Sequence, residues 1–422
     1  MSQPAETISR DLIRQCVQCG MCLSACPTFR LTGSELDSPR GRIFQMELVR
    51  SGEVDRNDAD FRQHMQFCLG CRACETACPS GVQYGQLFEQ ARAVSGPSPN
   101  IAARLVRSAA AKGWLLRVFG FTTRLYQKAG GQWLVRRVGL TKFLPGSLKS
   151  ADFSLGRLEG GVLVRRLPRV TPAVEKRRYR VAFLEGCLMS EFFARTNRDT
   201  VEVLALNGCE VVVPAGQRCC GALHLHSGDL ETARRQARAN VEAFRAQKAD
   251  FILTNSAGCG SVLKEYPSLL GSEDEAVLGA PVRDVQEFLG DVGLALTPGP
   301  LPVTVTYQDA CHLAHGQRIR EQPRALLSAI PELTLIEMTN SDWCCGSAGT
   351  YNLEQADASQ RLLDEKITAI AETGAPLVAA ANPGCLLQLS AGLEAARLPI
   401  KAQHPMAILA EAYRRRAVDG PS

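Results

Sequence analysis

No run of apolar residues in this 422-residue chain is long enough to cross a bilayer. The opening stretch, Met1 to Arg14, is polar and mildly helical. It lacks a charged start followed by an apolar core, so no secretory signal is expected. No Gly-x-Gly-x-x-Gly follows a strand-like run, which argues against a flavin or nicotinamide site in this chain. No nucleic-acid reading motif is present, and nucleic acid is not expected as a partner. Against these absences stands an abundance of cysteine, seventeen in all. Without a secretory signal, that number points to a reducing cytoplasm and to metal rather than disulfides. The length allows two to four domains, and 45% apolar with 22% charged residues is ordinary for a globular protein.

Sixteen of the cysteines fall into two repeated patterns. The first reads Cys16-x2-Cys19-x2-Cys22-x3-Cys26-Pro27 and returns as Cys68-x2-Cys71-x2-Cys74-x3-Cys78-Pro79. This is the spacing of a two-cluster bacterial ferredoxin, in which the fourth cysteine of each run serves the other cluster. The first three of each run share a tight loop, close enough to hold three corners of an iron–sulfur cube. The fourth is expected to start a helix leading towards the other cluster, with its proline interrupting the local structure. One [4Fe–4S] cluster is therefore assigned to Cys16, Cys19, Cys22 and Cys78. A second is assigned to Cys68, Cys71, Cys74 and Cys26. Zinc, which takes its ligands in pairs, and disulfides, which need an oxidising compartment, fit two identical quartets poorly. Residues 1–95 are read as the ferredoxin-like domain. Within it Ser38-Pro39-Arg40-Gly41-Arg42 reads as a turn or loop. Ile43 to Arg50 reads as a helix, with Ile43, Phe44, Met46, Leu48 and Val49 as its apolar positions. Such an insertion looks like the all-helical ferredoxin unit of multi-subunit dehydrogenases.

The net charge of +5 conceals an asymmetry. Between Ala102 and Arg180 there are eighteen Lys/Arg and three Asp/Glu, a net of +15, so the remainder sums to −10. Ser95-Gly96-Pro97-Ser98-Pro99-Asn100 breaks the helix after Cys78, and residues 96–180 read as a basic helical connector. Ile101, Leu105, Leu115, Leu116, Phe119 and Leu125 alternate there with Arg104, Arg107, Lys112, Arg117 and Arg124, interleaved with Trp114, Phe121, Tyr126 and Trp133. Two uses are open: docking on an anionic membrane surface or on a partner, or packing on the protein's own domains with a solvated basic face.

From Arg180 onward the chain repeats itself. Val181–Gly186 leads to Cys187, Val211–Pro214 to Cys219-Cys220-Gly221, and Phe251–Thr254 to Gly258-Cys259-Gly260. In the second copy Val303–Tyr307 leads to Cys311, Leu333–Ile336 to Cys344-Cys345-Gly346, and Leu377–Ala380 to Gly384-Cys385. The spacings agree to one residue: 32 (187 to 219) against 33 (311 to 344), then 39 (220 to 259) against 40 (345 to 385). A period near 120 residues is a domain duplication, with modules at 181–299 and 300–422. Helical patterns at Glu231–Gln247 and Glu354–Glu372 lie between the strands, implying parallel sheets with ligands beyond the strands' carboxyl ends. The expected fold is therefore α/β: an N-terminal α-helical ferredoxin-like domain followed by two duplicated parallel α/β cysteine-rich modules.

Each module offers four sulfurs to one crevice: Cys187, Cys219, Cys220 and Cys259, then Cys311, Cys344, Cys345 and Cys385. These are candidate ligands for one or two further clusters. The glycine after each pair lets backbone approach a bulky group, and Tyr351 and Gly346-Ser347-Ala348-Gly349 fit such an approach. His224, His226, His312 and His315 lie nearby in sequence and are read as hydrogen-bonding or packing residues. Cys209 has Leu333 as its counterpart and is read as a core residue.

Together these residues resemble the iron–sulfur subunit of bacterial glycolate oxidase over essentially the whole chain. The wording agrees in Glu35-Leu36-Asp37-Ser38-Pro39-Arg40-Gly41-Arg42-Ile43, Cys78-Pro79-Ser80-Gly81-Val82, Ser256-Ala257-Gly258-Cys259-Gly260 and Cys344-Cys345-Gly346-Ser347-Ala348-Gly349-Thr350-Tyr351. The modules alone are shared with heterodisulfide reductase, lactate-utilisation and anaerobic glycerol-3-phosphate dehydrogenase proteins. The glycolate oxidase resemblance implies an electron-transfer subunit without catalytic residues of its own. It would pass electrons from an FAD-containing, glycolate-oxidising partner subunit to a membrane quinone, on the cytoplasmic face of the inner membrane. Alternatives are the equivalent subunit for lactate or glycerol-3-phosphate, and a disulfide-reducing enzyme acting at the paired-cysteine crevice. Heterodisulfide-type modules end in Cys-x-x-Cys and supply a fifth sulfur. Here Cys259-Gly260-Ser261-Val262 and Cys385-Leu386-Leu387-Gln388 lack it.

Overall fold

The computed structural model describes residues 8–138 and 164–419, apart from 273, 275 and 276. Residues 139–163 of the expected connector lie outside the described residues. The N-terminal unit is helical: α1 (Pro27–Thr32), α2 (Pro39–Ser51), α3 (Ala59–Phe67) and α4 (Tyr84–Ser95) surround Ile43, Met46, Phe61, Met65, Leu87 and Phe88. Ser38–Arg42, expected as a loop, instead opens α2. The Ser38 hydroxyl accepts the Gly41 amide at 3.0 Å, and Pro39 takes the first helical position, where its missing N–H costs nothing. Ile43 and Met46 are buried as expected, but Phe44 is turned to solvent. Cys26 does cap a helix, and Pro27 begins it rather than interrupting the chain. Cys78 starts no helix; a turn through left-handed Gly81 separates it from α4, which ends at Ser95 as expected.

Among its described residues the basic connector forms three helices, α5 (Ile101–Ala111), α6 (Gly113–Lys128) and α7 (Gly131–Arg137). None of the described helices is long and apolar enough to cross a membrane.

The six strands read from sequence all form. With β1 (Val170–Thr171), β2 (Tyr179–Leu184), β3 (Cys209–Val212), β4 (Phe251–Thr254) and β5 (Val282–Asp284), the first sheet runs β1-β3-β2-β4-β5. The second, from β6 (Val303–Gln308), β7 (Leu333–Ile336), β8 (Leu377–Ala380) and β9 (Lys401–Gln403), runs β7-β6-β8-β9. The orders coincide (β3-β2-β4-β5 against β7-β6-β8-β9), all of these neighbours are parallel, and β1 is an added antiparallel edge. The short edge strands β1, β5 and β9 carry too few residues to stand out by pattern. Cys209 pairs in register with Tyr179 and is 1% exposed, a core residue as expected.

The modules share one core. Val181, Phe183 and Leu253 of the first sheet pack in a single cluster with Val305, Tyr307 and Ala379 of the second. Two further helices, α8 (Ala194–Leu206) and α9 (Pro405–Asp419), close it, and the Tyr413 hydroxyl on α9 donates to the Leu296 carbonyl at 2.7 Å.

His404 joins the modules through Nε2, while Nδ1 is held locally. Nε2 lies 2.8 Å from the Asn255 carbonyl, and Nδ1 accepts the Met406 amide at 3.1 Å. This pattern requires the neutral ring with its proton on Nε2. Burial pushes the His404 pKa from 6.5 down to about 4. A histidine held below its unfolded value contributes stability that is complete above pH 6.5 and lost as the pH falls towards 4. The expected size is about 3 kcal/mol. Thermal melts of wild type and His404→Gln between about pH 7.5 and about pH 4.5 should show a shallower acid loss in the variant. Parallel pH profiles would show that His404 does not carry it.

Candidate metal centres

The two cysteine loops of the helical unit have the same backbone. The residues two and four places beyond the first cysteine are left-handed in both: Gln18 (φ 58°) and Gly20 (φ 82°), then Gly70 (φ 63°) and Arg72 (φ 64°). This winding turns each chain tightly enough to gather three thiols. The Gly70 amide lies 3.4 Å from Cys68 Sγ, the kind of N–H···S contact that stabilises a sulfur ligand. Cys26 joins the second loop: Cys26, Cys68, Cys71 and Cys74 line one pocket with Arg42 and Tyr84. Cys16, Cys22 and Cys78 border the unit's core, and Cys19 faces solvent. Burial pushes the Cys71 and Cys74 thiols far up. Burial thus disfavours a free, uncompensated thiolate at these two positions.

Sequence reasoning missed the groups around this pocket. Arg42 is wholly buried. Its Nε donates to the His64 carbonyl at 2.8 Å, and Nη1 donates to Thr28 Oγ1 at 3.0 Å and to the Asp37 carbonyl. Burial opposes its charge, but the sulfurs of Cys68 and Cys26, the Tyr84 phenol and Asp37 more than offset that and hold it protonated. Thr28 Oγ1 is 3.3 Å from Cys26 Sγ, and Tyr84 Oη is 3.6 Å from Cys68 Sγ. A signal existed: Ser38-Pro39 is a helix start, and extending the helix back to it puts Arg42 one turn from Met46, on the buried face.

The modules bring their cysteines together. All eight, Cys187, Cys219, Cys220 and Cys259 with Cys311, Cys344, Cys345 and Cys385, line one cavity of about 140 Å³. Cys187 Sγ and Cys219 Sγ are 3.3 Å apart. In each quartet a central thiol is held below the ordinary range by its neighbours: Cys219 by Cys187 and Cys220, Cys345 by Cys344 and Cys385. A thiolate is the form that ligates metal. Among the described residues no three His, Cys, Asp or Glu converge as ligands of a single ion. A cube does not require that convergence, because each of its cysteines binds a different iron. Donor type and grouping thus fit iron–sulfur clusters.

The histidines make hydrogen-bonding and packing contacts. His315 sits between Thr76 Oγ1 (2.9 Å) and the Asp342 carbonyl (3.1 Å). His226 stacks on His312 with centroids 5.1 Å apart and pairs with Glu89 at 3.2 Å. His224 is buried beside Cys219. His226 and His312 also line the eight-cysteine cavity, each with Nε2 buried and unpartnered. The fifth-sulfur positions hold other residues: Val262 packs in the first module's core, and Gln388 Nε2 donates to Ser359 Oγ at 3.0 Å.

Family models match the chain in the order of its parts: a 4Fe-4S dicluster domain over residues 13–82, the linker region of the glycolate oxidase iron-sulfur subunit over 111–152, and the cysteine-rich domain twice, over 181–264 and 305–390. A Bacillus subtilis (strain 168) protein named probable glycolate oxidase iron-sulfur subunit is 38% identical, over 96% of this chain and 95% of its own. The chain belongs to the glycolate oxidase iron–sulfur subunit family. The Escherichia coli (strain K12) glycolate oxidase iron-sulfur subunit is 33% identical, over 94% of this chain and 95% of its own. Lactate utilization protein A of Bacillus cytotoxicus is 31% identical but matches only 54% of this chain, with 98% of its own length. The family's named members are subunits of an oxidoreductase, and this chain is an iron–sulfur protein built from one dicluster unit and a duplicated cysteine-rich module.

The placement of Cys26 tests the crossed ligand assignment. Cys26→Ser and Cys71→Ser should abolish the same low-temperature EPR signal and remove about four irons per chain each. Cys22→Ser and Cys78→Ser should abolish the other. If Cys26→Ser groups with Cys22→Ser instead, the assignment is wrong.

Proposed function

We propose that this chain is the electron-transfer subunit of a multi-subunit glycolate oxidase. An FAD-containing partner would oxidise glycolate to glyoxylate, and this chain would pass the electrons towards a membrane quinone from the cytoplasmic face of the inner membrane. One observation carries the reading. Leu69 and Cys71 of the ferredoxin-like unit pack in a single cluster with Cys344, Tyr351 and Leu362 of the second module, with Cys311 at its edge. The sulfurs of the two regions thus adjoin through packed side chains, with the Phe67 and Tyr351 rings 6.4 Å apart beside them.

Iron–sulfur clusters, when bound, supply one-electron carriage with little rearrangement. Cys16, Cys19, Cys22 and Cys78 would hold one [4Fe–4S] cluster, and Cys68, Cys71, Cys74 and Cys26 a second. The eight module cysteines would hold one or two more. Arg42 places a fixed positive charge, and Thr28 and Tyr84 place hydroxyls, beside the second quartet; together they favour its reduced, more anionic state. Arg72, next to Cys71, pairs with Glu75 at 2.9 Å and with Glu265 across the boundary to the first module, which fixes one region against the other. No residue of this chain is assigned a catalytic role. Disulfide reduction at the crevice is disfavoured by Val262 and Gln388 at the fifth-sulfur positions. Glycolate is favoured over lactate because the glycolate oxidase relatives match 94% and 96% of the chain and the linker model of that subunit matches 111–152, whereas the lactate-utilisation relative matches 54%.

Tagged chain pulled from native membranes should bring down a flavoprotein and reduce dye with glycolate in preference to D-lactate or glycerol-3-phosphate. In the same complex Cys71→Ser should abolish quinone-coupled turnover while flavin-level dye reduction survives. Undiminished quinone reduction would end the conduction reading; preference for another substrate would change only the partner.

A further inference from the structure

Helices α5 and α6 are built inside out. The buried face of α5 carries Ala103, Arg107 and Ala110, and that of α6 carries Leu116, Gly120, Thr123 and Arg124. Arginines sit on these inner faces. Arg107 pairs with Glu354 at 3.2 Å and donates to the Ser98 carbonyl at 3.1 Å, and Arg124 lies beside Glu191. The outer faces carry the large apolar groups. Among the described residues, eleven of the eighteen exposed large apolar residues lie between 101 and 138, including Trp114 (62% exposed), Val118, Phe121, Leu125, Trp133 (60%) and Leu134. Ordinary amphipathic helices bury such residues, so a concentration of them on three consecutive helices marks an interaction surface.

The charge on these helices identifies the occupant. No Asp or Glu occurs between residues 101 and 138, against eight Lys and Arg. Arg104, Lys112, Arg117, Lys128 and Arg137 are exposed alongside the aromatic groups. Tryptophan, phenylalanine and leucine flanked only by cations suit the boundary of an anionic bilayer, where rings enter the acyl edge and basic groups meet lipid phosphates. We propose that the outward face of α5, α6 and α7 docks this chain on the surface of an anionic membrane. The inference rests on the quinone-linked reading above and supplies its geometry. Val106 on α5 lines the eight-cysteine cavity, and on α6 Phe119 meets Phe192 of the helix that Cys187 begins, with centroids 6.2 Å apart. The cavity therefore lies one helix away from the docking face.

The test uses the full chain with its clusters, purified anaerobically, and sedimentation with vesicles. Vesicles of phosphatidylcholine with about 30 mol % phosphatidylglycerol should bind it, and neutral vesicles should bind it about tenfold less. Raising the salt to about 0.5 M should weaken binding to the anionic vesicles. The combined Trp114→Ser, Phe121→Ser and Trp133→Ser variant should lose about tenfold in vesicle partition. These positions are exposed, so its iron content and EPR spectra should match wild type. Glycolate-to-dye activity of its complex should also match, which separates failure of docking from failure of the electron-transfer reading. Equal partition of wild type and variant would overturn the proposal. So would unchanged vesicle binding with loss of the flavoprotein from the variant's complex, since the face would then belong to a protein partner.

Discussion

The helical unit depends on one buried cation. Arg42 ties together three segments that sequence distance separates: Thr28 just beyond Cys26, Asp37 in the connecting turn, and His64 on the helix leading into Cys68. His64 Nδ1 closes the ring by meeting Asp37 Oδ1 at 2.8 Å. A guanidinium buried to this extent is tolerated only when its charge and donors are satisfied, and here carbonyls, a hydroxyl and a carboxylate do so. Its geometric consequence is that the fourth cysteine of the first run stands beside the first three of the second. Its electrostatic consequence is a permanent positive charge among sulfurs that would become anionic on binding iron. Without it, burying those sulfurs would be opposed by every like charge around them.

The modules solve the same problem with backbone. Parallel strands leave their carboxyl ends at one edge of each sheet, and every paired cysteine sits on a loop leaving that edge. In the second module, Gly346 is left-handed at φ 84°, and an added Cβ would lie 2.5 Å from the Ser359 carbonyl oxygen. The glycine after the cysteine pair is thus demanded by the close passage of helix Ala356–Glu372, which brings Lys366 behind the pair. Duplication then doubles the donors without a new fold. The two copies bury their sheets in a common core, so their crevices open into one cavity.

Much of this was legible before any coordinates. Cysteine spacing is rigid chemistry, because ligands to a cube cannot slide by one residue. The strands were legible because buried parallel strands are continuous apolar runs, as in Val181–Leu184 and Leu377–Ala380. What stayed hidden was set by contacts rather than pattern. Arg42 was hidden because arginine is ordinarily a surface residue, and its burial depends on Asp37 and on backbone carbonyls that no periodicity marks. Cys78 was expected to begin a helix by analogy with Cys26, yet the left-handed turn at Gly81 intervenes. Phe44 reads as core by composition but lies outside the face that Ile43 and Met46 define.

The connector shows most sharply where pattern reading stops. An amphipathic period says that a helix has two faces; it does not say which one turns inward. On α6 the small and polar residues Gly120, Thr123 and Arg124 face the protein, and Arg124 lies beside Glu191, whose carboxylate pairs with Arg166 at 2.6 Å. The tryptophans and phenylalanine are consequently left outside. Their exposure follows from which face of the helix packs inward, and that choice belongs to the surface it packs on rather than to the helix's own period. The packing surface inside the protein thereby decides what the helix shows to its surroundings.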